Sequence, residues 1–160
     1  MLLIFVLCLY YISLKYEKYY DYNVKYFINN KVRINKKIIS IDKINLSKEI
    51  IKADKNFSNL NNNLVYFENF DVNNKIIIFG HSGNAHNAYF KDLKRLSEKD
   101  KVLIYDNGII YEYVVVNKYL INEYDIYILN EEINSMKLLL VTCDDDSSKR
   151  LVIELKLKKR

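Results

Sequence analysis

Two short apolar runs at the end of the chain constrain its fold more than any other feature. Lys137 to Cys143 reads K-L-L-L-V-T-C and Arg150 to Leu157 reads R-L-V-I-E-L-K-L, with the polar stretch Asp144 to Lys149 between them. Apolar runs of this length, β-branched in part and bounded by serines, predict two strands joined by a polar loop. The loop puts Cys143 at the exit of one strand and Arg150 at the start of the next, so both side chains can face one edge of a sheet. A thiol and a guanidinium held that way are a candidate nucleophile and a candidate anion-stabilising donor. The bland alternative is a Cys that serves as a small hydrophobe, because free Cys is among the most buried residue types.

The rest of the chain follows the same pattern. Ile38 to Leu46 predicts a strand with one wet face, in which Ile39, Ile41 and Ile44 alternate with Ser40 and Asp42. Ser47 with Glu49 and Ile50 predicts a short turn of helix. Leu64 to Phe67 and Lys75 to Gly80 predict strands, the second continuous and buried. Ala88 to Leu96 carries Tyr89, Leu93 and Leu96 at helical spacing. Val102 to Tyr105, the hairpin signal Asp106-Asn107-Gly108, and Ile109 to Leu120 predict a strand, a tight turn and a long returning strand. Ile126 to Leu129 predicts one more short strand. Many short strands, two brief helices and tight turns make the fold class mostly β, a closed or nearly closed and mostly antiparallel β-barrel, since closure removes exposed edges.

At 160 residues there is room for one domain with a proper core and a short appendage. The net charge of +5 comes largely from the terminal Lys156, Lys158, Lys159 and Arg160, a solvated end rather than a nucleic-acid footprint. The Tyr-rich segment Tyr111 to Tyr119 has no basic stripe beside it, which favours barrel packing over base stacking. Cys8 and Cys143 are the only cysteines, too few for a disulfide framework or a zinc site. Met1 to Leu14 is uncharged and apolar; it is shorter than the roughly 20 residues of a full span, yet a membrane anchor fits it better than a buried helix. The expected organisation is an anchor over 1–14, a spacer over 15–36 and the barrel over 37–160.

His81 leaves a buried strand and enters the loop H-S-G-N-A-H-N, where an imidazole is both anchored and accessible. Alone it is a coin toss between packing and function. Ser82 does not form a serine elbow, because G-x-S-x-G needs Gly where Asn84 stands. His86 fits an exposed loop residue, with no third metal ligand in view. The run Asp144 to Asp146 lacks the alternating spacing and distal Glu of a calcium loop.

Three elements in one order alter the balance: F-G-H-S-G ending a strand, L-L-V-T-C ending a late strand, and K-R-L-V-I opening the last. With this His, Cys and Arg order the chain resembles the sortases, membrane-anchored cysteine transpeptidases of bacterial surfaces, over roughly residues 38 to 160. L-L-V-T-C is similar to the family's Thr-Leu-x-Thr-Cys signature, with Leu139 where Thr is usual, a conservative change if that position only packs. The three carboxylates after Cys143 disfavour a thiolate, and the Cys to Arg loop is too short to name a subclass. The resemblance implies a sortase-like barrel of about eight strands with Cys143 as nucleophile, His81 as general acid and base, and Arg150 as donor to substrate or oxyanion. It implies a sorting-signal peptide of the Leu-Pro-x-Thr-Gly type as donor and an amine, such as a peptidoglycan cross-bridge or a pilin lysine, as acceptor. It implies a single-pass membrane location with the catalytic domain outside the cytoplasm. No organic cofactor is expected; calcium, which some sortases use, has no identifiable ligand set here. The rival expectations are a catalytically idle sortase-fold binding module and an intracellular barrel.

Overall fold

The computed structural model describes residues 36–69, 75–125, 136–144 and 148–158. Eight strands make up the architecture: β1 (Lys37–Ile41), β2 (Leu46–Lys52), β3 (Leu64–Asn69), β4 (Lys75–Phe79), β5 (Lys101–Asp106), β6 (Ile109–Asn122), β7 (Lys137–Cys143) and β8 (Lys149–Leu157). They close into a barrel in the order β1-β2-β3-β4-β7-β8-β6-β5, with β5 returning to pair β1. All neighbouring pairs are antiparallel except β2 with β3 and β4 with β7. The expected strand Ile126 to Leu129 and the expected anchor and spacer up to residue 35 lie outside the described residues. Among the described residues no helix is long and apolar enough to cross a membrane.

Period-two alternation explains why these runs become strands with two packed faces. On β7, Leu138 and Leu140 enter the inner core with Ile39, Ile41, Ile78, Ile153 and Leu155, whereas Leu139 and Val141 join a second cluster with Ile77 and Val152 on the opposite face. Five of the seven β7 residues are therefore buried, as the continuous apolar run predicts for a strand covered on both sides. Leu139 is 2% exposed, so the departure from the sortase signature falls at a packing position. Tyr111 and Tyr113 pack on the inner core and Tyr119 on the second cluster, the barrel role expected of the Tyr-rich strand.

Three local expectations are corrected. The segment Ile38 to Leu46 is not one strand. It breaks at a 3-10 turn, Asp42–Ile44, and Asn45 at φ 51° turns the chain back into β2. Asn accepts that left-handed conformation more readily than most residues. Ser47 to Ile50 accordingly lies in β2, paired with β1 from Leu46 opposite Ile41 to Ile50 opposite Lys37. Pairing with β1 outweighs the helical preference of Lys48 and Glu49. Ala88 to Leu96 is a series of turns with one 3-10 element, Leu93–Arg95, instead of a helix. Its large core residues are Phe90, Leu93 and Leu96, each at most 1% exposed, and their three-residue spacing suits three residues per turn. The predicted hairpin holds: Asn107 and Gly108 both have positive φ, at 47° and 83°, the mirror-type turn that matches strand twist.

Candidate active site

The site forms at one rim of the barrel, where β4, β7 and β8 end or begin. Cys143 closes β7, and its Cα partner across the β7–β8 ladder is Arg150. Directly opposed residues of an antiparallel pair share a face. By alternation that is the face of Val141 and Val152, opposite the inner core that takes Leu140, Leu151 and Ile153. The thiol is free and half-buried. Behind it Asp144 donates its N–H to the Lys149 carbonyl at 3.1 Å, so the ladder continues into the loop and fixes both ends of the Cys to Arg connection.

β4 runs parallel to β7 with Phe79 opposite Val141. Beyond the strand, the Gly80 N–H donates to the Val141 carbonyl at 3.2 Å, and the buried Thr142 hydroxyl donates to the Gly80 carbonyl at 2.7 Å. The pairing therefore persists to the residue before His81, which follows where the partner of Cys143 would fall. The His81 carbonyl in turn accepts the Phe90 N–H at 3.0 Å. Gly80 is required by space: a Cβ there would press on Leu64 Cδ2 and sit 2.7 and 2.9 Å from Phe90 Cδ2 and Cγ.

Two contributors escaped the sequence analysis. Thr142 was only part of a motif, and its bond to Gly80 carries the tie between the cysteine strand and the histidine strand past the end of their ladder. Glu123, just past β6, carries the other. Its Oε2 accepts from Arg150 Nη2 at 3.0 Å, with the two side chains 28% and 31% exposed. Its backbone N–H donates to the Ser148 carbonyl at 3.0 Å. β8 lies between β7 and β6 in the sheet, so the Arg150 head is held from the side of β8 away from Cys143. The Glu123 carboxylate also pushes the Tyr124 phenol above its ordinary pKa, first by accepting its hydrogen bond and then by charge. The signal that could reveal Glu123 is the β6–β8 register, which no local sequence pattern carries.

A recess of about 260 Å³ opens beside Cys143, walled by Ser82 and Asn84 of the loop after His81, by Lys91 and Lys94, and by Asp144. Ser82 is thus a wall residue of the site, and His86 is exposed in the same loop. A second cavity, about 160 Å³, lies at the other rim against Lys37, Tyr66, Tyr111 and Met136, remote from the cysteine. Among the described residues no three His, Cys, Asp or Glu side chains gather as a metal site.

The comparisons with known proteins bear on the family and the fold. Residues 39–158 match the family model described as the sortase domain. Among solved structures, the chain is similar to a Clostridium perfringens sortase D5 transpeptidase, with 24% identity, a TM-score of 0.67, and 78% of this chain aligned to 79% of that one. A lid mutant of sortase A from Corynebacterium diphtheriae aligns at 22% identity and TM-score 0.67, over 79% of this chain and 72% of that one. Sortase C-1 from Actinomyces oris aligns at 19% identity and TM-score 0.67, over 78% and 74%. No curated protein sequence matches the chain significantly.

Proposed function

The chain belongs to the sortase family, and from that membership we propose that it is a cysteine transpeptidase acting on a sorting-signal peptide. The observation that carries this reading is the cross-strand pairing of Cys143 with Arg150 at the rim, one strand away from the β4 extension that leads into His81. A thiol and a guanidinium of one hairpin and an imidazole-bearing loop from a distant part of the chain thereby come to one barrel end.

In this reading the Cys143 thiolate attacks the Thr carbonyl of a Leu-Pro-x-Thr-Gly type peptide. Arg150, whose guanidinium presents several N–H donors in a planar fork, donates hydrogen bonds to the oxyanion as it develops. His81 protonates the departing glycine amine, and the acyl group remains on sulfur as a thioester. An incoming amine then attacks the thioester carbonyl and His81 accepts its proton. Glu123 keeps the Arg150 head from swinging free between turnovers. Residues 1–14 tether the domain to the membrane with its site outside the cytoplasm, where both substrates meet; fractionation of cells expressing the full chain tests that tether, and a chain recovered only in the soluble fraction contradicts it.

The test of the chemistry is intact-mass analysis of the full chain incubated with a Leu-Pro-x-Thr-Gly peptide library without amine. The expected result is an acyl adduct that maps to Cys143 and is absent from Cys143→Ala. An adduct that survives this substitution means another nucleophile, and an unmodified wild-type Cys143 leaves a sortase-fold binding module.

A further inference from the structure

The barrel carries a hollow that the acyl-transfer chemistry does not use. It is the cavity of about 160 Å³ at the rim where β1 begins and β5 ends, lined by three isoleucines, Met136 and the rings of Tyr66, Tyr111 and Tyr113, with Lys37 and Asp106 as the charged residues. Ile50, Ile104 and Tyr113 belong to the inner core, and Tyr66, Ile76 and Tyr111 pack against it, so the cavity prolongs the barrel interior toward solvent. Met136 directly precedes β7 and Cys143 closes that strand. Seven strand residues at 3.3 Å each separate them by about 23 Å, too far for one small ligand to touch both.

Size, lining and charge together limit what can enter. Protein interiors leave few voids larger than a water molecule, because side chains around a void lose their contacts on that side. An apolar cavity of about 150 Å³ takes a benzene-sized guest, and tyrosine rings in the wall offer edge and face contacts to an aromatic one. The two charges at the rim cancel: Lys37 Nζ lies 3.3 Å from the Asp106 carboxylate and 4.5 Å from the centroid of the Tyr66 ring. A charged guest would leave water for an apolar space with no net charge to meet it. A carboxylate paired with one ammonium keeps lone pairs for a further donor, so Asp106 can accept one O–H or N–H from a neutral guest.

We infer that this cavity is a binding site for a neutral, single-ring aromatic molecule carrying one hydrogen-bond donor, a phenol in its simplest form. The ring lies among the isoleucines and tyrosines, and the hydroxyl donates to the Asp106 carboxylate. The site is separate from Cys143, and the inference does not depend on the transpeptidase reading.

The experiment follows isotope-labelled isoleucine δ1 methyl groups of the full chain by NMR during titration with p-cresol and, separately, with toluene, two guests of similar size that differ in the hydroxyl. p-Cresol is expected to shift Ile50, Ile76 and Ile104 saturably and to bind about tenfold tighter than toluene, the order that one hydrogen bond to a charged acceptor supplies. Asp106→Ala is expected to bring the two affinities together, and Met136→Trp, which places an indole in the cavity, to abolish binding of both. The wild-type methyl shifts locate the guest even where a substituted chain fails to fold. No saturable shift with either guest is the result for a cavity filled by water or by another part of the chain, and it overturns the inference. Shifts confined to isoleucines outside the cavity, equal wild-type affinities for the two guests, or a p-cresol preference that survives Asp106→Ala overturn it as well.

Discussion

Replacing Gly80 by Ala tests how the fold sets the site, because one methyl group there meets two side chains that have nowhere to go. The added Cβ would press on Leu64 Cδ2 and lie 2.7 and 2.9 Å from Phe90 Cδ2 and Cγ. Leu64 is 0% and Phe90 1% exposed, so relief requires moving packed core or backbone. Overpacking of this kind costs about 2 kcal/mol, and for a domain of this size that lowers Tm by roughly 6 to 10 °C. The displaced backbone carries the two bonds that extend the β4–β7 pairing beyond Phe79, Gly80 N–H to Val141 and Thr142 Oγ1 to the Gly80 carbonyl, and His81 follows directly. Acyl-adduct formation at Cys143 should therefore fall about tenfold or more even at temperatures where the variant is folded, as misplacement by a fraction of an ångström to one ångström does in other sites. Thermal melts by circular dichroism and timed intact-mass analysis read the two effects. In a Leu64→Ala background part of the clash is gone, so the added cost of Gly80→Ala should shrink by about 1 kcal/mol. A Gly80→Ala chain with unchanged Tm, or costs that simply add with Leu64→Ala, would refute the reasoning.

Glu123→Ala should slow adduct formation about tenfold by removing one of the holds on the Arg150 head, which also donates to the Lys149 carbonyl at 3.1 Å, while changing stability by less than about 1 kcal/mol, with Glu123→Gln losing less because it keeps an acceptor oxygen. An unchanged rate contradicts a positioning role, and a faster one means the carboxylate withholds the guanidinium from the site. Glu112 on β6 accepts a hydrogen bond from Lys158 at 3.1 Å and lies 3.2 Å from Lys101; Lys158 first, then Lys101, hold its pKa below the ordinary range against the opposing effect of desolvation. A carboxyl depressed in the folded state stabilises above its unfolded pKa, and that stabilisation fades as pH falls through the folded value. Glu112→Gln should thus flatten the decline of Tm below roughly pH 4.3 and lower Tm at neutral pH; parallel curves for the two chains would argue against it.

What could be read from the sequence was what local pattern determines. Lys137 to Cys143 matches β7 residue for residue because an apolar run bounded by polar residues leaves one strand register to choose, and the Cys143–Arg150 pairing follows from joining two such strands. Asp106-Asn107-Gly108 was legible because few residue pairs accept positive φ twice. Ser47 to Ile50 was misread as helical since Lys48 and Glu49 carry no strand signal, and only the antiparallel pairing with β1 makes it a strand. Ala88 to Leu96 showed a roughly helical spacing, but its large buried side chains are Phe90, Leu93 and Leu96, whose closer period belongs to 3-10 turns. Glu123 and the Thr142–Gly80 bond were invisible for a different reason. Each joins residues far apart in the chain, 27 positions for Glu123 to Arg150 and 62 for Thr142 to Gly80, and only the closed barrel makes them neighbours.

Initial-rate kinetics with both substrates varied bear most directly on whether acyl transfer proceeds through the rim sulfur. With a Leu-Pro-x-Thr-Gly peptide and a primary amine, the full chain should give parallel double-reciprocal lines for ligated product, the signature of a covalent intermediate released before the second substrate reacts, and Cys143→Ala should give no product. Intersecting lines, or ligation by the Cys143→Ala chain, would contradict a thioester on Cys143.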